Sequence, residues 1–410
     1  MTKLHFMLRF VGFVLLLLSL SACKQEKALQ QIDLFKIDWK EIQMQAKGST
    51  VHFMMWQGSP AINSYMNDFL IPKVKELYDI ELKLVGGQGP EIVQLVMSEK
   101  QAGSNSGQVD MSWINGETFF QLRQINGLWG PFVESLPNSQ LIDFDNPHIS
   151  IDFQQPINYM ECPWSITQFA MVHDLEKTPN PPANLSELEN WIGENPGQFT
   201  ISNDFSGMTL LKSFFAEISG DKDGLNGAFD EQKYNRLSGQ LWEWINRNKK
   251  NFWKEGETFP KEQTKMDQLY ANGELSLCYG FGEGSIDDKI RQGLFPNTTK
   301  VYPWKNGTIR NSNYLGIHYN ASNKAGAMVV INYMISPEAQ LRKIDPSGMD
   351  ANTVLDIDKL SDDWKVKFEN REKRKYGATI EELAAYAIQE PDPQYMIRLY
   401  EDFRKEVIEK

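Results

Sequence analysis

Two short loops of the sequence carry side chains that could bind a small molecule. Residues 56–59 (WQGS) end one apolar run, and residues 113–117 (WINGE) end a second one. Each loop begins with a tryptophan, whose ring stacks on a sugar face or on a cationic group. Glutamine, serine, asparagine and glutamate side chains in these loops can hydrogen-bond to hydroxyl or ammonium groups. This chemistry is noncovalent recognition, and the alternative is a pair of ordinary strand-to-helix connections.

Motifs for covalent or metal chemistry are not found in the sequence. It contains no Gly-x-Ser-x-Gly, His-Glu-x-x-His or phosphate-loop Gly-Lys-Ser/Thr. Residues 280–284 (GFGEG) lack the spacing of a dinucleotide site, and 5 histidines are few for a ferric iron site. We therefore expect no enzyme activity, cofactor or metal. A surface-anchored enzyme resembling a glycoside hydrolase remains the alternative, with carboxylates drawn from Glu117, Glu161 and Glu283.

Composition limits the class of partner. The formal net charge of −12 argues against nucleic acid as the main partner. The chain has 11 Trp and 12% aromatic residues, more than a core usually requires, so some rings are expected to contact a ligand. Its 410 residues are enough for two domains with separate cores.

The amino terminus is predicted to be a targeting segment. Lys3 and Arg9 precede the apolar residues 10–20, which are too few to span a bilayer comfortably. Leu20-Ser21-Ala22-Cys23 resembles the lipobox of bacterial lipoproteins. That resemblance implies a signal peptide over residues 1–22, a lipid on Cys23 and a polar tether over residues 23–48.

The elements that position the two loops predict an α/β fold. Strands are expected at residues 51–56, 80–85, 109–114, 199–202, 275–279 and 315–319. Ser59 and Pro60 suit the start of a helix, and residues 380–388 are expected to be helical. Residues 157–172 are predicted to cross into a second domain, and residues 301–304 to return. In such sheets a ligand lies beyond the carboxyl ends of the strands, where both loops are placed.

Two cysteines remain after Cys23. Cys162 and Cys278 both lie on predicted strands of the second domain. A disulfide and two isolated buried thiols are both compatible with the sequence.

The order of these features resembles the extracytoplasmic solute-binding proteins of bacterial ABC importers. Residues 271–275 (ANGEL) are similar to a helix-to-strand turn of that family, and residues 314–340 are similar to its strand-helix segment ending in Ser-Pro-Glu-Ala-Gln. The likeness is nearest to an uncharacterised importer subfamily. It implies a two-lobed periplasmic-binding-protein-like fold (type II), whose lobes are joined by crossing strands. Lobe one is expected to be residues 49–156 with 306–345, and lobe two residues 157–305 with 346–410.

The resemblance also implies a function and a site. A monomer in the periplasm or at the cell surface, anchored to a bacterial membrane by lipid on Cys23, would capture a small solute and deliver it to a permease and its ATPase. Acidic groups outnumber basic ones near the cleft, which favours a sugar or an organic cation such as a polyamine or a thiamine-like compound. A structural lipoprotein without a ligand is a further alternative. The residues expected to line the cleft are Trp56, Gln57, Gly58, Ser59, Trp113, Asn115, Glu117, Tyr159, Trp164, Asn203, Asp204, Ser206, Gly207, Tyr279, Phe281, Glu283, Asn311, Asn313 and Tyr314.

Overall fold

A computed structural model describes residues 33–281 and 285–410. Residues 39–410 form one compact unit, and residues 33–38 belong to a separate unit in which Lys36 pairs with Asp33 at 2.9 Å. The predicted signal peptide, Cys23 and Glu283 lie outside the described residues, so their predicted roles stay predictions.

Short strands and longer helices alternate along the described chain. In chain order the strands are β1 Thr50–Met55, β2 Glu81–Gly86, β3 Met111–Ile114, β4 Ile151–Asp152, β5 Gln155–Pro156, β6 Glu161–Gln168, β7 Ala170–Asp174, β8 Leu277–Gly280, β9 Thr299–Tyr302, β10 Thr308–Ile317 and β11 Ala387–Gln389. The α-helices are α1 Trp39–Ala46, α2 Pro60–Ser64, α3 Ile71–Tyr78, α4 Gly89–Gln101, α5 Gly116–Gln124, α6 Pro147–Ser150, α7 Leu185–Glu194, α8 Phe205–Ser219, α9 Glu231–Asn248, α10 Gln263–Ala271, α11 Ser285–Arg291, α12 Lys324–Met334, α13 Pro337–Ile344, α14 Asp362–Glu369, α15 Ile380–Leu383 and α16 Pro393–Phe403. Two π-helices, Tyr65–Leu70 and Arg404–Ile408, continue α2 and α16.

Two sheets carry the fold. The larger has the order β11-β10-β3-β1-β2 with β6 also paired to β10, and the smaller has the order β8-β7-β9. Strand β1 runs parallel to β2 and β3, as expected for strand-helix-strand units. The mixed α/β architecture predicted from the sequence is therefore confirmed.

Two pairs of consecutive strands connect the sheets. Strand β6 pairs with β10 in the larger sheet, and after Phe169 the chain continues as β7 in the smaller sheet. The chain returns from β9 in the smaller sheet to β10 in the larger one. The crossings predicted near residues 157–172 and 301–304 are therefore present.

Two hydrophobic clusters are centred on different sheets. One cluster contains residues of β1, β3, α4 and α5, such as Ile92, Val96 and Phe119. A larger cluster contains residues of β7, β8, α8, α9 and α16, such as Phe214 and Leu399. The larger cluster also reaches strands β10 and β11 of the larger sheet.

Two predicted elements are wrong. Residues 199–202 form no ladder, because Phe199 accepts a hydrogen bond from the Trp253 amide at 2.8 Å and the Ser202 amide donates to the Tyr279 hydroxyl at 2.6 Å. The predicted helix over residues 380–388 ends early, since Ile388 lies in β11 opposite Ile309 of β10.

The described cysteines are free thiols. Cys162 lies in β6 and Cys278 in β8, and both are buried in different sheets. Of the disulfide and the two isolated buried thiols, both compatible with the sequence, the structure shows the two isolated thiols.

Candidate functional site

Three residues expected at the cleft begin helices at strand or loop ends. The Ser59 hydroxyl accepts a hydrogen bond from the Ile62 amide at 3.4 Å, and Asn115 caps α5 through the Thr118 amide at 3.4 Å. Asp204 caps α8 by accepting from the Gly207 amide at 2.9 Å. Capping satisfies amides that a helix leaves free, so local folding alone already requires these side-chain types.

A group of ionisable residues, four of them buried and Glu117 half-buried, lies where α5, α8, the β4–β5 hairpin, β6 and the segment after β11 approach one another. We call it the buried charged cluster, and it consists of Glu117, Asp152, Glu161, Lys212 and Glu390. It holds four carboxyl groups and one amine. The cluster is therefore acidic.

Lys212 and Glu390 form the paired part of the cluster. Lys212 Nζ lies 2.5 Å from Glu390 Oε2, and the Asn311 side-chain amide donates to Glu390 Oε1 at 2.9 Å. Burial lowers the pKa of Lys212 and raises the pKa of Glu390, although each attracts the other's charged form. The pair ties α8 to the crossing strand β10, which carries Asn311.

Asp152 and Glu161 form the unpaired part of the cluster. They are 1% and 0% exposed, and none of their four carboxyl oxygens has a hydrogen-bond partner among the described residues. Burial raises the pKa of both well above the usual carboxyl range, and Asp152 raises the pKa of Glu161 further. Buried polar groups in native proteins are normally bonded, and these four oxygens have unused capacity to accept hydrogen bonds.

Potential donors near this acid pair are already engaged. The Tyr314 hydroxyl donates to the Ile149 carbonyl at 3.0 Å, and Arg123 Nη1 donates to the Pro156 carbonyl at 3.1 Å. Arg123 still acts at a distance, because its positive charge opposes the rise in the pKa of Glu161.

Glu117 connects the cluster to residues expected on both lobes. It is on α5, accepts a hydrogen bond from Gln121 at 3.3 Å, and has a pKa raised by burial and lowered by Lys212. Burial raises the pKa of Tyr400, and the charges of Glu117 and Asp204 raise it further. Glu117 and Asp204, predicted on opposite walls, therefore both act electrostatically on the same tyrosine.

The tip of the β4–β5 hairpin holds Asp152 in place. Phe153 and Gln154 adopt φ angles of +45° and +60°, a region that a bulky residue rarely enters. Gln154 Nε2 donates to the Glu390 carbonyl at 2.7 Å. A Cβ atom on Gly116 would lie 1.9 Å from a ring carbon of Phe153 and 2.7 Å from Asp152 Oδ1, so the hairpin packs directly on the start of α5.

Comparison with known proteins identifies the family. Residues 70–367 match the family described as bacterial extracellular solute-binding protein. Protein YnjB of Escherichia coli (strain K12) is 34% identical over 338 residues, which are 82% of this chain and 87% of that protein. The chain belongs to the bacterial extracellular solute-binding proteins.

Solved structures share the fold of this solute-binding protein. A putative spermidine/putrescine ABC transporter from Listeria monocytogenes gives a TM-score of 0.61 at 14% identity, covering 88% of this chain and 99% of that chain. The periplasmic binding protein AfuA from Actinobacillus pleuropneumoniae, with exogenous fructose-6-phosphate bound, gives 0.60 at 12% identity, covering 88% and 98%. At these identities the likeness shows the fold, which is the two-lobed α/β fold expected from the sequence.

The family fixes the general role of the protein. Proteins of this family are extracellular and bind solutes. Within the described residues, no helix has the length and apolar character needed to cross a bilayer.

Other predicted site residues of this solute-binding protein are packed inside its two halves. Trp164 is fully buried, with its ring 5.2 Å from that of Trp113 in an edge-to-face arrangement. The Tyr279 hydroxyl bonds to the Ser202 amide, and a Cβ atom on Gly207 would lie 1.7 Å from the Ser202 carbonyl oxygen. Tyr314 and Ser206 are also buried.

The remaining predicted residues are partly or fully exposed. In the first loop the Trp56 ring lies against Gly58, where a Cβ atom would be 2.4 Å from a ring carbon. Phe281 packs on Phe205 at 5.5 Å between ring centroids, next to Lys212. The others of this group are Gln57, Ser59, Trp113, Asn115, Tyr159, Asn203 and Asn313. Their contact with a solute stays a prediction.

Sequence reasoning missed most of the buried charged cluster. Asp152, Lys212, Glu390 and Tyr400 were not among the predicted residues, and Glu161 was considered only for hydrolysis. Lys212 could have been noticed, because it is the single charged residue in the apolar stretch 208–216 (MTLLKSFFA). Asp152 and Glu390 lie in polar, proline-containing stretches with no comparable signal.

Proposed function

We propose that this protein is the solute receptor of an ABC importer and that its solute is a small organic cation. The solute enters a cleft between lobe one (residues 49–156 with 306–345) and lobe two (residues 157–305 with 346–410), and it passes from there to the permease. Lipid on Cys23 holds the receptor at the membrane surface, where it acts as a monomer.

The observation that supports a cationic solute is the unpartnered acid pair. The four carboxyl oxygens of Asp152 and Glu161 are buried and have no hydrogen-bond partner among the described residues, and burial without a partner favours the protonated form of both carboxyls. An ammonium or similar group would supply both positive charge and N–H donors to these oxygens. The acid pair therefore has the chemistry of a cation site.

Charge balance favours a cationic solute over an anionic or a neutral one. A sugar phosphate, as bound by AfuA, would bring negative charge towards four carboxyl groups opposed by Lys212 and the more distant Arg123. Spermidine and putrescine, named for the Listeria protein, are cations. A neutral sugar could donate hydroxyl hydrogens, but only a cation would also compensate the charge that the acid pair acquires when it loses a proton.

Access to the acid pair requires the two halves to separate. Both carboxyl groups are buried, and the crossing strands β6–β7 and β9–β10 are the connections about which a hinge can open. Trp56 and Trp113, at the ends of β1 and β3, are then available to cover the solute.

Substitution of Asp152 by Asn tests this proposal. The change keeps the shape of the side chain but removes its charge, so we expect the affinity for an organic cation to fall about tenfold or more. Isothermal titration calorimetry against putrescine, choline, thiamine, glucose and glucose 6-phosphate at constant ionic strength gives the measurement. Glu99→Gln is the matched control, because Glu99 is also buried but its carboxyl already accepts from Gln108 and Asn320.

The outcomes are distinct. Saturable binding of a cation that Asp152→Asn weakens and Glu99→Gln does not would support the proposal. Binding of a neutral or anionic compound with equal affinity in both variants would overturn the cationic class. Binding of none of the compounds, with no rise in melting temperature, would contradict the proposed solute class as a whole.

A further inference from the structure

The ammonium group of Lys212 lies in surroundings typical of a bound cation. Lys212 Nζ is 4.8 Å from the ring centroid of Phe153, 5.4 Å from that of Phe205 and 2.5 Å from Glu390 Oε2. Asn311 holds the second oxygen of Glu390 at 2.9 Å. We call Phe153, Phe205, Glu390 and Asn311 the ammonium box.

We propose that Lys212 fills one cation position of the solute site from within the chain, so that a solute places one cationic group in the cluster and not two. This inference rests on the proposed function, since it specifies how many charges the cationic solute brings. Lys212 is then a specificity-determining residue that does not itself need to touch the solute.

The chemistry of the box supports this assignment. Aromatic faces within about 6 Å attract a cation, and a carboxylate adds a charge-assisted hydrogen bond. Two rings and a carboxylate around one nitrogen are the groups that a protein would use for a free alkylammonium ion. In this chain the alkylammonium ion is the end of a lysine side chain.

A second buried lysine shows that burial alone does not create such a box. Lys343 is 0% exposed, and its amine contacts the Trp164 carbonyl and lies 5.3 Å from the Trp164 ring centroid. No carboxylate is paired with it among the described residues, and burial lowers the pKa of Lys343 well below its usual range. Lys343 thus provides an internal control for Lys212.

After Lys212 has paired with Glu390, the remaining acid pair matches one further cationic group. Glu390 is ion-paired with Lys212. The carboxyl oxygens of Asp152 and Glu161 have no hydrogen-bond partner among the described residues, and the charge of Asp152 acts on Glu161. Because burial favours the protonated form of both carboxyls and Asp152 opposes ionisation of Glu161, a cation displaces one proton more readily than two. One ammonium group neutralises the single charge formed in this way.

Chemical rescue tests the box directly. Lys212→Ala removes the atoms from Cγ to Nζ, which are the atoms of n-propylammonium. We expect n-propylammonium chloride, compared with sodium chloride at equal concentration, to raise the melting temperature of Lys212→Ala and not that of the wild type or of Lys343→Ala. If Lys212→Ala is obtained only unfolded, the refolding yield with and without n-propylammonium is the readout. Equal response of both alanine variants, or no response of Lys212→Ala, would overturn the ammonium box.

The selectivity between solutes with one and with two cationic groups tests the inferred number of cation positions. Lys212→Met keeps the apolar stem and frees Glu390, so we expect the ratio of Kd for butylammonium to Kd for putrescine to rise about tenfold over the wild-type ratio. An unchanged ratio in a variant that still binds both cations would contradict the inference and leave the proposed function intact. A wild type that binds neither cation would instead contradict the proposed function, while the rescue experiment would still decide the box.

Discussion

The side chains of Asp152 and Glu161 compete for protons and for a cation at the same oxygens. Burial keeps the protonated form of each carboxyl favoured, so their pKa values are raised well above the ordinary range. A cation that pairs with the acid pair must displace a proton. Under the proposed function, capture of a cationic solute is therefore expected to release a proton. The ionisable groups that interact electrostatically with the acid pair are Arg123, Cys162, Lys212, Tyr314 and Glu390.

We predict that the affinity for a cationic solute rises as pH rises through the titration of the acid pair. Stability of the solute-free protein changes in the opposite direction, because a carboxyl whose folded pKa is raised binds protons more tightly when folded. Its stabilising contribution is present below the unfolded pKa and is lost as pH rises through the folded one. Calorimetric titrations in buffers of different ionisation enthalpy measure the protons released. A pH-independent affinity that Asp152→Asn leaves unchanged would contradict the linkage.

At the residue level the sequence was informative where chemistry is local. Ser59, Asn115 and Asp204 were predicted as site residues because each lies in a loop after a predicted strand, and each is a capping residue in the structure. The Lys212–Glu390 pair joins residues 178 positions apart, and no spacing pattern predicts such a contact. Long-range pairing of this kind depends on the whole fold.

The β4–β5 hairpin is the element that most constrains the candidate site. Its tip residues Phe153 and Gln154 adopt left-handed backbone angles, which cost about 1–3 kcal/mol each in a non-glycine residue. Contacts with Gly116, Lys212 and Glu390 hold the tip in this conformation. Backbone strain at a candidate binding site is consistent with a position selected for function.

Gly116→Ala should disturb the hairpin and the site together. The new methyl group would lie 1.9 Å from a Phe153 ring carbon, and such overpacking costs about 1–3 kcal/mol. We expect a lower melting temperature and weaker solute binding, measured by calorimetry. Gly239→Ala in α9 is the control, because a Cβ atom there meets nothing within 4 Å and alanine should stabilise the helix by up to about 1 kcal/mol. Equal effects of the two substitutions would contradict this account of the hairpin.

Elements with a strong local pattern were predicted well, and elements defined by distant partners were not. The apolar run of β1 and the Ser-Pro start of α2 follow from their own residues. Residues 199–202 carry a strand-like pattern, but their backbone bonds to a loop and a tyrosine hydroxyl. Strand β11 has only three residues and exists because β10 offers a free edge beside it. Tertiary context decided both cases.

For the whole molecule, the proposed role requires attachment to a membrane as well as binding. Cys23 precedes the described residues, and its lipobox-like context is the basis for attachment. Two or more acyl chains are needed for stable anchoring, since one chain binds only marginally. A soluble variant with intact solute binding would therefore separate anchoring from recognition.

Cys23→Ser should release the protein from the membrane. Without the thiol no lipid can be attached, so we expect the variant in the soluble fraction while the wild type stays with the membranes. Cell fractionation and metabolic labelling with a fatty-acid analogue provide the measurement, and Cys162→Ser serves as a control because Cys162 is buried in β6. Membrane retention or labelling of Cys23→Ser equal to that of the wild type would contradict the anchor.

Because both described native thiols are buried, a fluorescent dye can be attached to this chain at one chosen position. Burial raises the pKa of Cys278 to about 12 and the pKa of Cys162 further, and both lie inside packed sheets. Since the thiolate is the reactive form, neither should react with a maleimide dye at neutral pH while the protein is folded. In the Cys23→Ser background, a single cysteine introduced beside Trp56 would then be the one labelled position. Its fluorescence would report each closure of the receptor around a solute without further removal of native cysteines.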